Sequence, residues 1–210
     1  MCHFVETIRI DGGQAKNLCY HEKRMNETLC RLFSDAGGCR TVADARRTAP
    51  RYSLSDHLCL SPDMDNIKCR VVYGKDGISE ITYSEYTLRP VRSLRLVCSD
   101  DIDYSCKSTD RKAIDRLFGL RGISDDIIIV RRGLLTDTSI ANIALYDGTV
   151  WQTPRLPLLG GTRRESLLDR GILHETDITP DMLGSFSRIR LFNAMIDWGV
   201  QELSVESVVW

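Results

Sequence analysis

No apolar run in this chain reaches membrane-spanning length, and the first residues carry Glu6, Arg9 and Asp11 where a secretory signal needs an unbroken hydrophobic segment. A soluble, cytoplasmic protein is therefore expected. The sequence also lacks an excess of either charge, since 28 Lys plus Arg face 29 Asp plus Glu in 210 residues. No global field draws it to nucleic acid or an anionic membrane, so neither is expected as a partner. The eight cysteines, Cys2, Cys19, Cys30, Cys39, Cys59, Cys69, Cys98 and Cys106, include no CxxC pair. That spacing argues against a disulfide framework and against a zinc site, and predicts reduced, mostly buried thiols. His21-Glu22 begins like HExxH, but Met25 stands where the second histidine is required, so metalloprotease chemistry is set aside and no metal is expected. Internal repeats and low-complexity tracts are missing as well.

What is present reads as one medium chain of α plus β class with mixed sheets. FVETIRI alternates apolar and polar residues and runs into Asp11-Gly12-Gly13, a half-buried strand entering a hairpin. YHEKRMNETLCRLF follows as a helix with Tyr20, Met25, Leu29, Leu32 and Phe33 on its apolar side. TVADARR is expected as a short helix, and SLSDHLCL as helix or loop. IKCRVVYG and ISEITYSEY form a hairpin through GKDG. TLRPVRS loses periodicity and holds a proline, which places a domain boundary there, with domains at 1–89 and 90–210. The second half gives the strand LRLVCS and then a helix in STDRKAIDRLFGLRG capped by Ser108 or Thr109. Next come the buried strand DDIIIVRRG, a hairpin across Asp147-Gly148, the helix TRRESLLDRG ending at Gly171, and a late strand in SRIRLFNAMIDWG.

Three groups of residues carry chemical potential. Lys107 lies between a strand and a helix, and a lysine amine can condense with a carbonyl to form a Schiff base. Asp137 sits between Thr136 and Thr138 after an apolar strand, where an acid can pair with a protonated ring nitrogen. Gly160-Gly161-Thr162 enters a helix, so backbone amides and a hydroxyl can converge on a phosphate with the helix dipole behind them. Arg24 on the first helix can add a bidentate donor. Each has a plain alternative: a solvated lysine, an Asx turn, an ordinary helix start, a surface arginine. Arg163 and Arg164 are expected to face solvent.

As an ordered set, FVETIRI, HEKR, CKSTDR, TDTSIAN and GGTR resemble the class IV aminotransferases, the fold-type IV pyridoxal phosphate enzymes that include branched-chain and D-amino acid aminotransferases and aminodeoxychorismate lyase. The resemblance runs from Phe4 to about Trp198, and its most specific part is TDTSIANIAL followed by GGTRRESLL. It implies a two-domain fold-type IV enzyme with a shortened N-terminal domain, the Schiff-base lysine in the C-terminal one, and pyridoxal 5'-phosphate as cofactor. Lys107 would then be the catalytic lysine and Asp137 the acid facing the pyridine nitrogen. Arg24, Gly161 and Thr162 would hold the phosphate, Ser139 and Ile140 would lie along the cofactor, and Leu158 would support a ring face. Asn142 would fix the loop that carries Asp137. A small amine or amino acid substrate and a homodimer follow from the same resemblance.

This chain departs from the family's pattern in having Asp137 in place of the usual glutamate, Val5 in place of an aromatic residue, and little sequence before FVETIRI. Transamination and aminodeoxychorismate lyase-like elimination of pyruvate to give 4-aminobenzoate start from identical residues, so both stay open, and NAMID leans toward the lyase. A non-catalytic pyridoxal phosphate-binding protein is the alternative from another class.

Overall fold

The computed structural model describes residues 3–33 and 52–210. The short helix expected at TVADARR lies outside them. The described residues form two compact units of mixed α/β structure, one running up to Tyr86 and including Cys106–Thr109, the other made of Thr87–Ser105 and Asp110–Trp210. Residues 106–109, which carry Lys107, therefore group with the N-terminal unit rather than with the stretch from 90 onward.

In the first unit, strands β1 (Phe4–Asp11), β2 (Gln14–Ala15), β3 (Ile67–Gly74) and β4 (Gly77–Glu85) form an antiparallel sheet in the order β2-β1-β3-β4. The β1–β2 hairpin turns on Gly12 (φ +55°) and Gly13 (φ +72°), both in the left-handed region that glycine enters without a Cβ penalty. Helix α1 (Leu18–Phe33) buries His21, Met25, Thr28 and Leu29, a stripe at helical spacing. Met25 and Leu29 pack with Phe4, Ile8, Ile10, Cys69 and Val71. Leu32, expected on that stripe, is exposed instead. Ser53 to Leu60 forms only a 3-10 turn at Leu54–Asp56.

Residues 106–109 extend this sheet. Val5 N donates to Lys107 O (2.9 Å), Thr109 N donates to His3 O (2.9 Å), and Phe4 bridges to Ser108 in antiparallel fashion. With their backbone used this way, Ser108 and Thr109 do not cap the next helix. α2 (Lys112–Phe118) starts after Arg111, which makes no side-chain cap, while Asp110 Oδ1 accepts from Lys112 N (3.1 Å).

The second unit holds β5 (Leu94–Cys98), β6 (Asp126–Arg131), β7 (Leu134–Thr138), β8 (Asn142–Tyr146), β9 (Trp151–Pro154), helix α3 (Thr162–Asp169), β10 (Leu173–Thr176), β11 (Arg188–Phe192), β12 (Gln201–Ser204) and β13 (Val208–Val209). The strand path is β10-β9-β8-β7-β6-β5-β13, and β11 pairs with both β8 and β12. β5 and β6 are parallel, whereas β6, β7 and β8 form consecutive antiparallel pairs. Ile127, Ile128 and Ile129 are each fully buried, Ile128 in one apolar cluster and its two neighbours in another. A strand covered on both faces explains why this run is continuous rather than alternating. Each of these isoleucines contributes about 1.5–3 kcal/mol by burial.

Among the described cysteines only Cys69 is buried; Cys19, Cys59 and Cys98 are exposed and Cys30 and Cys106 intermediate, all as free thiols. The expectation of mostly buried thiols is thus corrected: Cys59 and Cys106 lie in connecting segments, and Cys19 and Cys98 at element ends. No helix among the described residues is long and apolar enough to cross a membrane.

Candidate functional site

In the second unit, TDTSIAN is a tight hairpin. Asp137 at the end of β7 faces Asn142 at the start of β8, and the Thr138 hydroxyl accepts from Ile140 N (3.2 Å) and Ala141 N (2.9 Å) across the turn. A threonine that satisfies the turn's own amides fixes the reversal, which explains its place there. Asp137 and Asn142 are both 5% exposed. Asn142 Nδ2 donates to Asp137 Oδ1 (2.9 Å) and to Leu159 O (3.0 Å), while Leu159 N donates to Asp137 Oδ2 (2.9 Å). Both acceptors of Nδ2 are oxygens, so the amide has one orientation.

Burial pushes the Asp137 carboxyl up to about 6, against the lowering effect of the Leu159 amide, the Asn142 amide and the charge of Arg164. Neutral donors offset only part of the cost of removing a carboxylate from water.

The same asparagine meets the helix entry. A Cβ on Gly161 would lie 1.9 Å from Asn142 Oδ1, so any other residue here must displace that amide. Gly161 is the N-cap of α3 and makes no side-chain cap; Thr162 is the first helical residue, 2% exposed, and Glu165 N donates to Gly161 O (2.9 Å) to open the helix ladder. A helix start presents amide donors outside the regular ladder, with the positive end of the dipole. Leu158 is buried among Ile127, Ile129 and Ile114.

Ser139 is buried, and its carbonyl accepts from Arg111 Nη2 (2.8 Å). Ile140 is 42% exposed and its carbonyl accepts from Asn193 Nδ2 (3.0 Å). Asn193 Oδ1 in turn accepts from Met195 N and Ile196 N (both 2.8 Å), which ties NAMID to the Ser139-Ile140 turn. Arg164 is buried rather than solvent-facing, donating to Pro154 O (2.8 Å) and Glu175 Oε1 (2.7 Å), and Arg163 pairs with Asp197. Pro154 at the end of β9 and Glu175 on β10 thus supply the acceptors that keep Arg164 on the inner side of α3.

In the first unit, Arg24 is held by Glu6: Nε donates to Oε1 (2.9 Å) and Nη2 to Oε2 (2.5 Å). His21 Nδ1 lies 2.6 Å from Glu6 Oε2 and must be the donor, since an ionised carboxylate only accepts. Glu6 and His21 are fully buried. Burial alone would raise the Glu6 pKa, but the Arg24 charge and the His21 and Arg24 hydrogen bonds outweigh it and hold the carboxyl at about 2. Burial holds His21 below its usual value, opposed by Glu6 and assisted by the positive charges of Arg24 and Lys107. Lys107 thus shares an electrostatic neighbourhood with Arg24, Glu6 and His21, and its residue is half-buried.

Sequence reasoning missed Glu6, His21 and the Leu159 backbone. Two signals were available: Glu6 breaks the apolar face set by Phe4, Ile8 and Ile10, and His21 stands one turn before Met25 on the buried helix stripe. A backbone amide leaves no trace in sequence.

The family model for amino-transferase class IV matches residues 78–203, more than half of the chain. The chain belongs to the class IV aminotransferase family. An uncharacterised protein of Haemophilus influenzae is 33% identical over 192 residues, covering 90% of this chain and 96% of that protein. A crystal structure from Haemophilus somnus 129pt, of a protein provisionally named 4-amino-4-deoxychorismate lyase, is 30% identical with a TM-score of 0.79, covering 94% of this chain and 98% of that one. An aminotransferase from Brucella abortus, bound to the cofactor PLP, shares the fold at 14% identity with a TM-score of 0.69, over 99% of this chain and 81% of that one. The fold is thus that of the class IV family.

Proposed function

We propose that this class IV family member is a pyridoxal phosphate-dependent enzyme that acts on a primary amine or amino acid through Lys107. The observation that carries the reading is Asp137: a carboxylate buried away from water, held by two neutral N–H donors, whose charge has no ion-pair partner within salt-bridge distance among the described residues. Such a group favours a cation, and a protonated ring nitrogen is one. The other residues proposed for the cofactor have chemistry suited to it. Gly161 and Thr162 offer a helix start for a phosphate and Arg24 a guanidinium already oriented by Glu6. Ser139, Ile140 and Leu158 would line the ring. The Brucella abortus fold neighbour supports the choice of cofactor.

When bound, pyridoxal phosphate supplies an electron sink for charge that develops at the carbon beside the substrate amine. Asp137, ionised, would hold a proton on the ring nitrogen and so keep that sink strong. Lys107 would hold the cofactor covalently, and its amine would serve as the general base for the substrate's α proton and return it as acid. Transamination is the first reading. A second, lyase-type release of pyruvate to give 4-aminobenzoate, is favoured by the name of the 30%-identical Haemophilus somnus protein. The two use the same residues and differ in the bond that breaks after proton removal. A cytoplasmic homodimer completes the proposal, and sedimentation tests the dimer.

The experiment is a visible absorption spectrum of the protein with pyridoxal phosphate, compared with Lys107→Ala, followed by borohydride reduction and peptide mapping. A yellow band reduced onto Lys107 and missing from the variant is expected. An amine panel read for keto acid and for pyruvate then separates transaminase, lyase and a protein that binds without turnover. No band, or label spread over surface lysines, contradicts the enzyme reading.

A further inference from the structure

We propose that Asn142 is a positioning residue that couples the Asp137 carboxylate to the turn at Leu159–Gly161, so that a ligand's ring nitrogen and its phosphate are recognised as one unit. This rests on the pyridoxal phosphate reading.

Three hydrogen bonds close a triangle. Asn142 Nδ2 donates to Asp137 Oδ1 (2.9 Å) and to Leu159 O (3.0 Å), and Leu159 N donates to Asp137 Oδ2 (2.9 Å). Both Nδ2 hydrogens are used, and both carboxylate oxygens have a donor. The remaining atom of the Asn142 amide, Oδ1, packs where a Cβ of Gly161 would stand, 1.9 Å from that position. One small side chain therefore touches the acid, the carbonyl two residues before the helix cap, and the cap itself.

A shift of the carboxylate reaches Leu159 by two routes, directly through its amide and indirectly through Asn142. A turn that moves toward Asn142 meets its amide oxygen, which occupies the space beside Gly161 where a Cβ would stand. Buried polar networks of this closed kind act as units rather than as independent contacts. Charge placed at Asp137 by a ring nitrogen thus helps hold the turn, and a phosphate on the turn helps hold the acid.

The test compares the affinities of wild type, Asn142→Ala and Asp137→Asn for pyridoxal phosphate and for pyridoxal, which lacks the phosphate, by absorbance titration. The ratio of the two dissociation constants reports what the phosphate contributes. Neither substituted side chain is assigned to the phosphate, yet the ratio is expected to fall by about tenfold in both, in the range for residues in one network. Gly161→Ala forces the Asn142 amide aside with its donors intact and should reproduce the fall, which keeps the test available if Asn142→Ala does not fold. A ratio unchanged within about twofold in Asp137→Asn and in whichever other variants fold overturns the coupling. So does a fall confined to Gly161→Ala, which means a direct effect at the turn. Wild type that binds pyridoxal as tightly as pyridoxal phosphate also overturns it. Wild type that binds neither ligand contradicts the cofactor reading itself, and the coupling with it.

Discussion

Glu6 in the first unit and Asp137 in the second are both buried carboxylates, and their surroundings push them in opposite directions. Glu6 faces the Arg24 guanidinium and a donating His21, and it is held at about 2. Asp137 receives an asparagine amide and a backbone amide, with the charge of Arg164 acting from beyond ion-pair distance, and burial still raises it to about 6. At similar depth the adjacent countercharge, more than the hydrogen bonds alone, accounts for the opposite directions of the two shifts. Glu6 has its cation built into the fold and serves to orient Arg24. Asp137 has no cation within salt-bridge distance among the described residues, which suits the proposed role of an acid whose partner arrives with a ligand.

Removing the charge of Glu6 breaks the first half of that contrast most severely. Glu6→Gln strands the Arg24 guanidinium beside a neutral amide, and a loss of about 3–5 kcal/mol in urea unfolding at pH 7 is expected. A lowered folded-state pKa means that Glu6 contributes stability above its unfolded value of 4.5, lost as pH falls toward 2. That acid limb should be flattened in the variant. A loss below about 1 kcal/mol would show that the cluster is not a working ion pair.

Asp137 carries the reverse sign. Its folded-state pKa is raised from 3.8 to about 6, so its contribution to stability without ligand is present below the unfolded value and lost as pH rises through about 6. Asp137→Asn should remove that decline, worth on the order of 2 kcal/mol between pH 4 and 7. Identical pH profiles for the two proteins would contradict the assigned environment.

Gly161→Ala tests the packing behind the acid. Its Cβ must displace the Asn142 oxygen, 1.9 Å away, and a destabilisation of about 1–3 kcal/mol by thermal unfolding is expected. The smallest effect belongs to Arg155→Ala, whose partner Asp177 is, like Arg155, more than half exposed. Screening and side-chain entropy should leave the unfolding midpoint within error.

The sequence already contained much of this. Gly12-Gly13 and Lys75-Asp76 flanked by glycines mark the two hairpins of the first sheet, because turns of that kind need residues tolerant of left-handed backbone. Thr138 to Ala141 is short enough that Asp137 and Asn142 had to lie near one another. Illegible were features made by packing between distant segments. The chain at 106–109 leaves its helical context to join β1, which moves the start of α2 to Lys112. Arg164 looks solvated in sequence and is buried against Pro154 and Glu175. The Glu6–His21–Arg24 cluster was half legible: Glu6 and His21 interrupt apolar faces, but that Arg24 meets them depends on how the helix packs on the sheet.

The most direct measurement is the titration of the Asp137 carboxyl carbon by NMR, with and without pyridoxal phosphate. The account predicts a midpoint near 6 in the free protein and a carboxylate that stays ionised to well below that pH once the ligand is bound. A midpoint unmoved by saturating pyridoxal phosphate would contradict it, because the acid would then have met no cation.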